Sequence, residues 1–307
     1  MGPYLIRKLL MAPVVLVILA TIAFFLIRLA PGGPFDAERS PPAEVTAALR
    51  ARYLLDRPLS VQYAHFLGRL VRADLGPSYR QIGRGVGEII ASRLPGSLVL
   101  GGLAMMMALA MGVIAGVVAA ARHNGWADHL SMVVALIGLS IPNFVIAPVL
   151  LLVLATHLGW ITTPGAAGPT AAYVLLAAFA LALPFAGRIA RLCRAGMLDM
   201  IHQDFVRSAR AKGLGEMAVL LRHALRGAMV SVVAYLGPAT AALLTGSLVI
   251  ESVFGLRGLG YEFVNAATSR DYTLVMGTVL VYGTLLIVMN LISDVVLALI
   301  DPRVRYG

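Results

Sequence analysis

The sequence predicts an all-α polytopic membrane protein with six transmembrane helices, and three observations carry that reading. Of 307 residues, 59% are hydrophobic and only 13% are charged, roughly half the charged share of an ordinary soluble domain. The mean hydropathy is +0.86. The apolar residues fall in charge-free runs of the length a bilayer demands, about 20 residues per helix. Together these exclude a disordered chain, a disulfide-built secreted module and an ordinary cytosolic enzyme. The single cysteine, Cys193, cannot close a disulfide within the chain and reads as a small apolar residue.

The first run, 9–27, follows Arg7 and Lys8. It is too long for a signal peptide, and Arg28-Leu29-Ala30-Pro31-Gly32 makes a poor cleavage site, so it is the first span. The second run, 94–121, ends at Arg122. The stretch 130–187 contains no Asp, Glu, Lys or Arg, only His157 as a group that charges near neutral pH, and is far too long for one crossing. Gly159-Trp160 through Gly168-Pro169 divides it into helices at 130–157 and 171–187, with Trp160 suited to a membrane interface. Runs at 228–250 and 273–293 complete the six.

Short-loop charge sets the orientation. With the N-terminus inside, the inner segments hold Arg7, Lys8, Arg122, eight Lys/Arg between Arg188 and Arg226, then Arg303 and Arg305, thirteen in all. The short outer loops hold Arg257 and Arg270. Both termini are therefore cytoplasmic, N-in and C-in. The long outer segment carries more arginine, but long loops translocate largely regardless of charge. The chain reads as one transmembrane domain, 1–307, with an extracytoplasmic segment at 31–93 and a cytoplasmic loop at 188–227. In the outer segment, Val45, Leu49 and Tyr53 recur at helical spacing, a second helical patch covers 60–71, and Gly76-Pro77 makes a turn. That is a small cap of short helices, either a solvated spacer or a docking surface.

The inner loop is too elaborate for a connector. Arg188, Arg191 and Arg194 prolong the fourth helix into the cytoplasm. The stretch 204–215 then reads as a short helix ended by Gly213 and Gly215, where left-handed backbone is freely available. A second helix starts at Glu216, with Met217, Leu220, Leu221, Ala224, Leu225 and Ala228 on one apolar face. On composition, its arginines bind lipid phosphates. The alternative is a helical knob that transmits force from a cytoplasmic partner.

The run Ser208-Ala209-Arg210-Ala211-Lys212-Gly213-Leu214, followed by Arg222-His223-Ala224-Leu225-Arg226, resembles the EAA loop of binding-protein-dependent ABC importer permeases. The resemblance is strongest to the B-type permeases of the peptide and nickel branch. Arg28-Leu29-Ala30-Pro31-Gly32-Gly33-Pro34-Phe35, Ile141-Pro142-Asn143-Phe144-Val145, Gly246-Ser247-Leu248-Val249-Ile250-Glu251 and the ending Asp301-Pro302-Arg303-Val304-Arg305-Tyr306 carry it along the whole chain. Arg207 stands where the general loop pattern has Glu. Gly255-Leu256-Arg257-Gly258-Leu259-Gly260 lacks the proline usual in that turn, which implies a differently shaped outer turn.

The resemblance implies a type I ABC importer permease fold, taking up di- or oligopeptides, nickel or another small solute. It implies a sister permease, two cytoplasmic ATPases that bind ATP and Mg, and an extracytoplasmic binding protein. The implied ATPase-coupling residues are Arg207, Ser208, Ala209, Arg210, Lys212, Gly213, Arg222 and His223. Polar groups suited to a wet pathway are Ser140, Asn143, Thr245, Ser247 and Glu251, each equally able to bond neighbouring helices.

The chain carries no ATP-binding loop of its own. With two lysines, Lys8 and Lys212, neither can close a Gly-x-x-x-x-Gly-Lys motif. An ion-coupled transporter would need ionisable groups within spans, and these spans hold almost none. A serine hydrolase at Ser140 would need the glycine that Ile141 replaces. No metal site, catalytic residue or resident cofactor is expected.

Overall fold

The structure is a computed structural model, and it describes residues 2–29, 32–35, 43–164 and 168–300. Among these, five helices are long and apolar enough to cross a bilayer. They are α1 (Gly2–Leu29), α4 (Val86–Ala121), α7 (Ala171–Ile201), the continuous helix Glu216–Phe254 and α12 (Tyr272–Ile300). A bent pair, α5 (Trp126–Ser140) and α6 (Asn143–Leu150, with a π-helical run Leu151–His157), supplies the sixth crossing.

That third crossing corrects the expectation of one straight helix over 130–157. Its halves meet at 103°. Pro142 cannot donate to the preceding turn and pushes Ile141 out of the helical region, and Ile141 is extended at φ −86°, ψ 121°. The helices also outrun their charge-free cores: α4 begins at Val86, and α7 continues to Ile201. Glu88 and Arg93, or Arg188 and Arg194, end an apolar run without ending a helix. The terminal motif from Asp301 onward lies outside the described residues.

Helix α7 sits at the centre, packed on α4, on the helix after Glu216 and on α5. Close approach to α4 depends on small residues. A side chain at Gly112 would meet Ile189 Cβ at 2.7 Å, and one at Gly116 would meet Cys193 Cβ at 2.6 Å. Alanines fill the seam, with Ala104, Ala108, Ala177, Ala178 and Ala182 fully buried. Small-residue contact of this kind drives helix association in lipid, where the hydrophobic effect adds little. Cys193 is buried in the same core.

The outer cap is helical as expected, with α2 (Ala43–Arg52) and α3 (Leu59–Val71). Its α3 leans on the end of α1: Phe24 stacks on Phe66 with centroids 5.4 Å apart, and the Thr21 and Tyr63 hydroxyls are 2.7 Å apart. Two buried carboxylates then tie the outer loops together. Asp271, fully buried, accepts from the Ser78 hydroxyl, Tyr79 N (3.1 Å), Arg80 N (3.3 Å), Thr273 Oγ1 (3.0 Å) and Leu274 N (3.2 Å). It caps α12 and clamps the turn before α4 at once. Glu262, on α11 (Leu259–Thr268), pairs with Arg93 at 2.8 Å.

Candidate cytoplasmic coupling site

The inner face is built on the extension of α7. Arg194 forks onto Asp128, with Nε 2.6 Å from Oδ1 and Nη2 2.7 Å from Oδ2. Asn124 N donates to the same carboxylate at 3.0 Å. Asp128 is buried, so the loop between α4 and α5 is latched to the fourth span by a bidentate, charge-assisted pair. Further out on α7, the Arg188 guanidinium lies 5.6 Å from the Tyr235 ring.

Beyond α7, α8 (Asp204–Ala211) stands as a short separate helix. Its end is a Schellman cap: Leu214 N bonds Ala209 O at 3.4 Å, and Gly213 N bonds Arg210 O at 2.9 Å. Gly213 takes φ +81°, and apart from its chain neighbours no described residue lies within 4 Å of where a side chain would begin. The glycine is there for its backbone, with no neighbour demanding the space. Val206, Ala209 and Val219 form a small buried cluster that seats α8 against the start of the following helix. Arg210 and Glu216 close the unit with two contacts of 3.1 and 2.7 Å. The hydrogen bond to Glu216 raises the Arg210 pKa.

The helix that begins at Glu216 is α9 (Glu216–Ala218), a π-helical run Val219–Ala224, then α10 (Leu225–Phe254), all continuous. The π run revises the expected apolar face. Leu220, Ala224 and Ala228 are buried, whereas Met217 and Leu221 are 67% and 48% exposed. A π run has more residues per turn than 3.6, so the inward stripe advances by four, and a 3.6-residue wheel assigns Met217 and Leu221 to the wrong side.

The predicted coupling residues therefore divide. Arg207, Ser208, Arg210, Lys212 and Gly213 are exposed on α8 and its cap, and Ala209 is buried beneath them. Arg222, exposed, and His223, half-buried, ride the π-helical run. Sequence reasoning missed the apolar part of this surface. Phe205 is 49% exposed, Leu214 41% and Met217 67%. The signal was present: an aromatic and a leucine flanking basic residues in a segment outside the membrane. It also missed Asp128, although this is the lone acid between Glu88 and Asp199.

The pathway candidates scatter. Ser140 is exposed, and Asn143, at the bend, keeps Oδ1 buried with no hydrogen-bond partner among the described residues. The Thr245 side chain lies outside the described residues. Ser247 is fully buried and donates to Leu244 O at 2.8 Å. Glu251 is also buried, and it is engaged inside the chain. It accepts from Ser97 Oγ at 2.6 Å and Tyr261 N at 2.9 Å, while Ser97 Oγ accepts from Leu259 N at 2.7 Å. Glu251 thus fastens the turn after Gly255, which leaves α10 through left-handed backbone at φ +62°.

A family model described as binding-protein-dependent transport system inner membrane component matches residues 112–306, and its N-terminal companion matches residues 1–100. The chain is 45% identical to the oligopeptide transport system permease protein OppB of Haemophilus influenzae and 43% identical to that of Escherichia coli, over 99% of both chains in each case. It is 36% identical to the dipeptide transport system permease protein DppB of Bacillus subtilis, over 99% of this chain and 98% of that one. Among solved structures, an amino acid ABC transporter crystallised with histidines covers 70% of this chain and 94% of its own, with TM-score 0.50 and 18% identity, a likeness of fold. The chain belongs to the binding-protein-dependent transport system inner membrane component family, as a multi-pass permease of the bacterial inner membrane.

Proposed function

We propose that this chain is one transmembrane permease of an ATP-driven importer for di- or oligopeptides. An extracytoplasmic binding protein delivers the peptide, a sister permease completes the path, and two ATPases holding ATP and Mg supply the work. The observation that carries the coupling part is the inner knob. It is a capped helix fixed to a spanning helix by a buried cluster and an ion pair, presenting Phe205, Leu214 and Met217 among Arg207 and Lys212. Such a surface offers apolar anchors with a basic rim, a composition suited to a protein partner. Identity above 40% to oligopeptide permeases over the full length supports peptide as the cargo.

The chain performs no bond chemistry of its own in this scheme. It receives displacement at 204–226 and passes it to the spans. The test is peptide- and binding-protein-stimulated ATPase activity of the reconstituted importer. Phe205→Ala with Leu214→Ala lowers stimulation by about tenfold, the loss of roughly 1.4 kcal/mol of docking, without lowering the amount of inserted permease. Unchanged stimulation overturns the coupling role. A reporter fused after Gly215 reads cytoplasmic, and one near Arg80 reads extracytoplasmic.

A further inference from the structure

Beneath the outer cap, on the extracytoplasmic side, a cavity of about 140 Å³ lies between α1, α3 and the turn that precedes α4. Three guanidinium groups line it, those of Arg28, Arg52 and Arg69, together with His65 and against one carboxylate, Asp74. That carboxylate is already engaged within the chain: it accepts from Arg69 Nε at 2.9 Å and from Gly76 N at 2.9 Å. Neither Arg28 nor Arg52 has a carboxylate partner among the described residues. Two positive charges therefore share the lining without a counter-charge, and like charges repel more strongly in a partly enclosed space than in open water.

Two donors are held in place there. The Arg28 guanidinium lies over the Phe24 ring, 3.5 Å from its centroid, while Nε donates to Gln62 Oε1 at 3.0 Å and Nη1 to Phe24 O at 3.4 Å. Gln62 is itself buried and anchored, donating from Nε2 to Arg57 O at 2.8 Å. The guanidinium is thus oriented by its neighbours, and its Nη2 bonds no described residue. Tyr79 is 8% exposed, yet its hydroxyl bonds no described residue either. A buried phenol ordinarily finds a hydrogen-bond partner. Burial pushes the Tyr79 pKa up to about 12, so the group is a neutral O–H donor near neutral pH. Both residues line the same cavity.

Size and donors together select the ligand. The space suits a small acid or the last atoms of a larger one. A fixed guanidinium edge and a neutral hydroxyl are donors without a protein acceptor, which is the complement of an oxyanion. We propose that this cavity is a carboxylate-binding site, with Arg28 Nη2 and Tyr79 Oη as its donors and Arg52 as the charge at its mouth. The bound anion joins α1 to the turn before α4 and so sets the cap on the first span. A free small acid and the C-terminus of a peptide present the same carboxylate, and the experiment separates them. The site lies across the membrane from the 204–226 knob and its readout does not involve transport, so its failure leaves the importer reading intact.

The test is thermal melting of the assembled permeases and ATPases, without binding protein, in phosphatidylcholine nanodiscs at constant ionic strength. Replacing chloride by acetate raises the melting midpoint, as does adding trialanine, whereas trialanine amide does not. Tyr79→Phe removes a hydroxyl that bonds no described residue, so the protein folds as before and acetate binds about tenfold more weakly. Arg28→Gln abolishes the response, and Arg28→Lys keeps part of it. Arg257→Gln, an exposed arginine on the same side, leaves it unchanged. A response to acetate alone assigns the site to a free acid, and a response to trialanine alone assigns it to a peptide terminus. No response to either, or a response undiminished in Tyr79→Phe and Arg28→Gln, overturns the site. An equal response to trialanine amide, or a response to inorganic phosphate with none to acetate or trialanine, overturns the carboxylate assignment.

Discussion

The outer loops and the inner knob of this permease are held by opposite means, although the loop between α4 and α5 shares the outer loops' buried ion pairing through Asp128 and Arg194. At the outer end, Asp271, Glu262 and Glu251 are almost entirely enclosed. They reach partners as far as 193 residues away in sequence. At the inner end, the knob rests on three small apolar side chains and one ion pair whose members are 37% and 59% exposed. Buried, charge-assisted bonds are expensive to break because the freed groups stay out of water, while an exposed pair contributes little. The outer loops are therefore set firmly, and the inner unit is shaped in advance yet free to shift as a body.

The comparison can be broken at several points. Asp271→Ala should have the largest effect. It strands the backbone N–H groups of Tyr79, Arg80 and Leu274 and costs about 3 kcal/mol, read as a lower melting midpoint and protease cleavage near 78–85. A loss no larger than that of a surface variant would mean the outer end is not locked by this carboxylate. Gly116→Leu, in the α4–α7 seam near its inner end, should cost about 2 kcal/mol by forcing α4 from α7, visible as reduced yield of monodisperse protein. Gly213→Val meets no neighbour, so its cost of about 1–2 kcal/mol is that of left-handed backbone alone. Stimulated ATPase activity should fall while melting of the spans stays put, and Gly213→Asn should be milder. Arg210→Ala should cost about 0.5 kcal/mol and lose even that at high salt. A large, salt-insensitive effect there would show the knob to be as rigid as the outer end.

Much of the fold could be read from hydropathy and charge, because lipid selects on composition over about 20 residues at a time. The cap helices, the two-glycine stop at Gly213 and Gly215 and the helical extension through Arg194 were legible for the same local reasons. Direction within a span was not. Apolar composition runs unbroken through Ile141-Pro142, and only the geometry shows the bend. The π-helical run at Val219–Ala224 has no compositional mark, which is why Met217 and Leu221 were assigned inward. Glu251 read as a pathway group because an acid at a span's end is conspicuous. Its partners Ser97 and Tyr261 come together only in three dimensions. The basic residues of α8 were legible from their motif, whereas the exposure of Phe205 depends on how the cap turns the helix.

The unbroken helix from Glu216 to Phe254 also has a mechanical meaning. At 1.5 Å per residue it is a rod of about 58 Å, longer than the hydrocarbon layer it crosses. Its lower tip abuts the knob and its upper tip carries Glu251 and the glycine turn. Pivoting such a rod by about 10° at mid-height would sweep each tip some 5 Å in opposite senses. A push received on the cytoplasmic side would then arrive outside as a reversed stroke at the Ser97–Glu251 fastening, less whatever bending the π-helical run and Pro238 absorb.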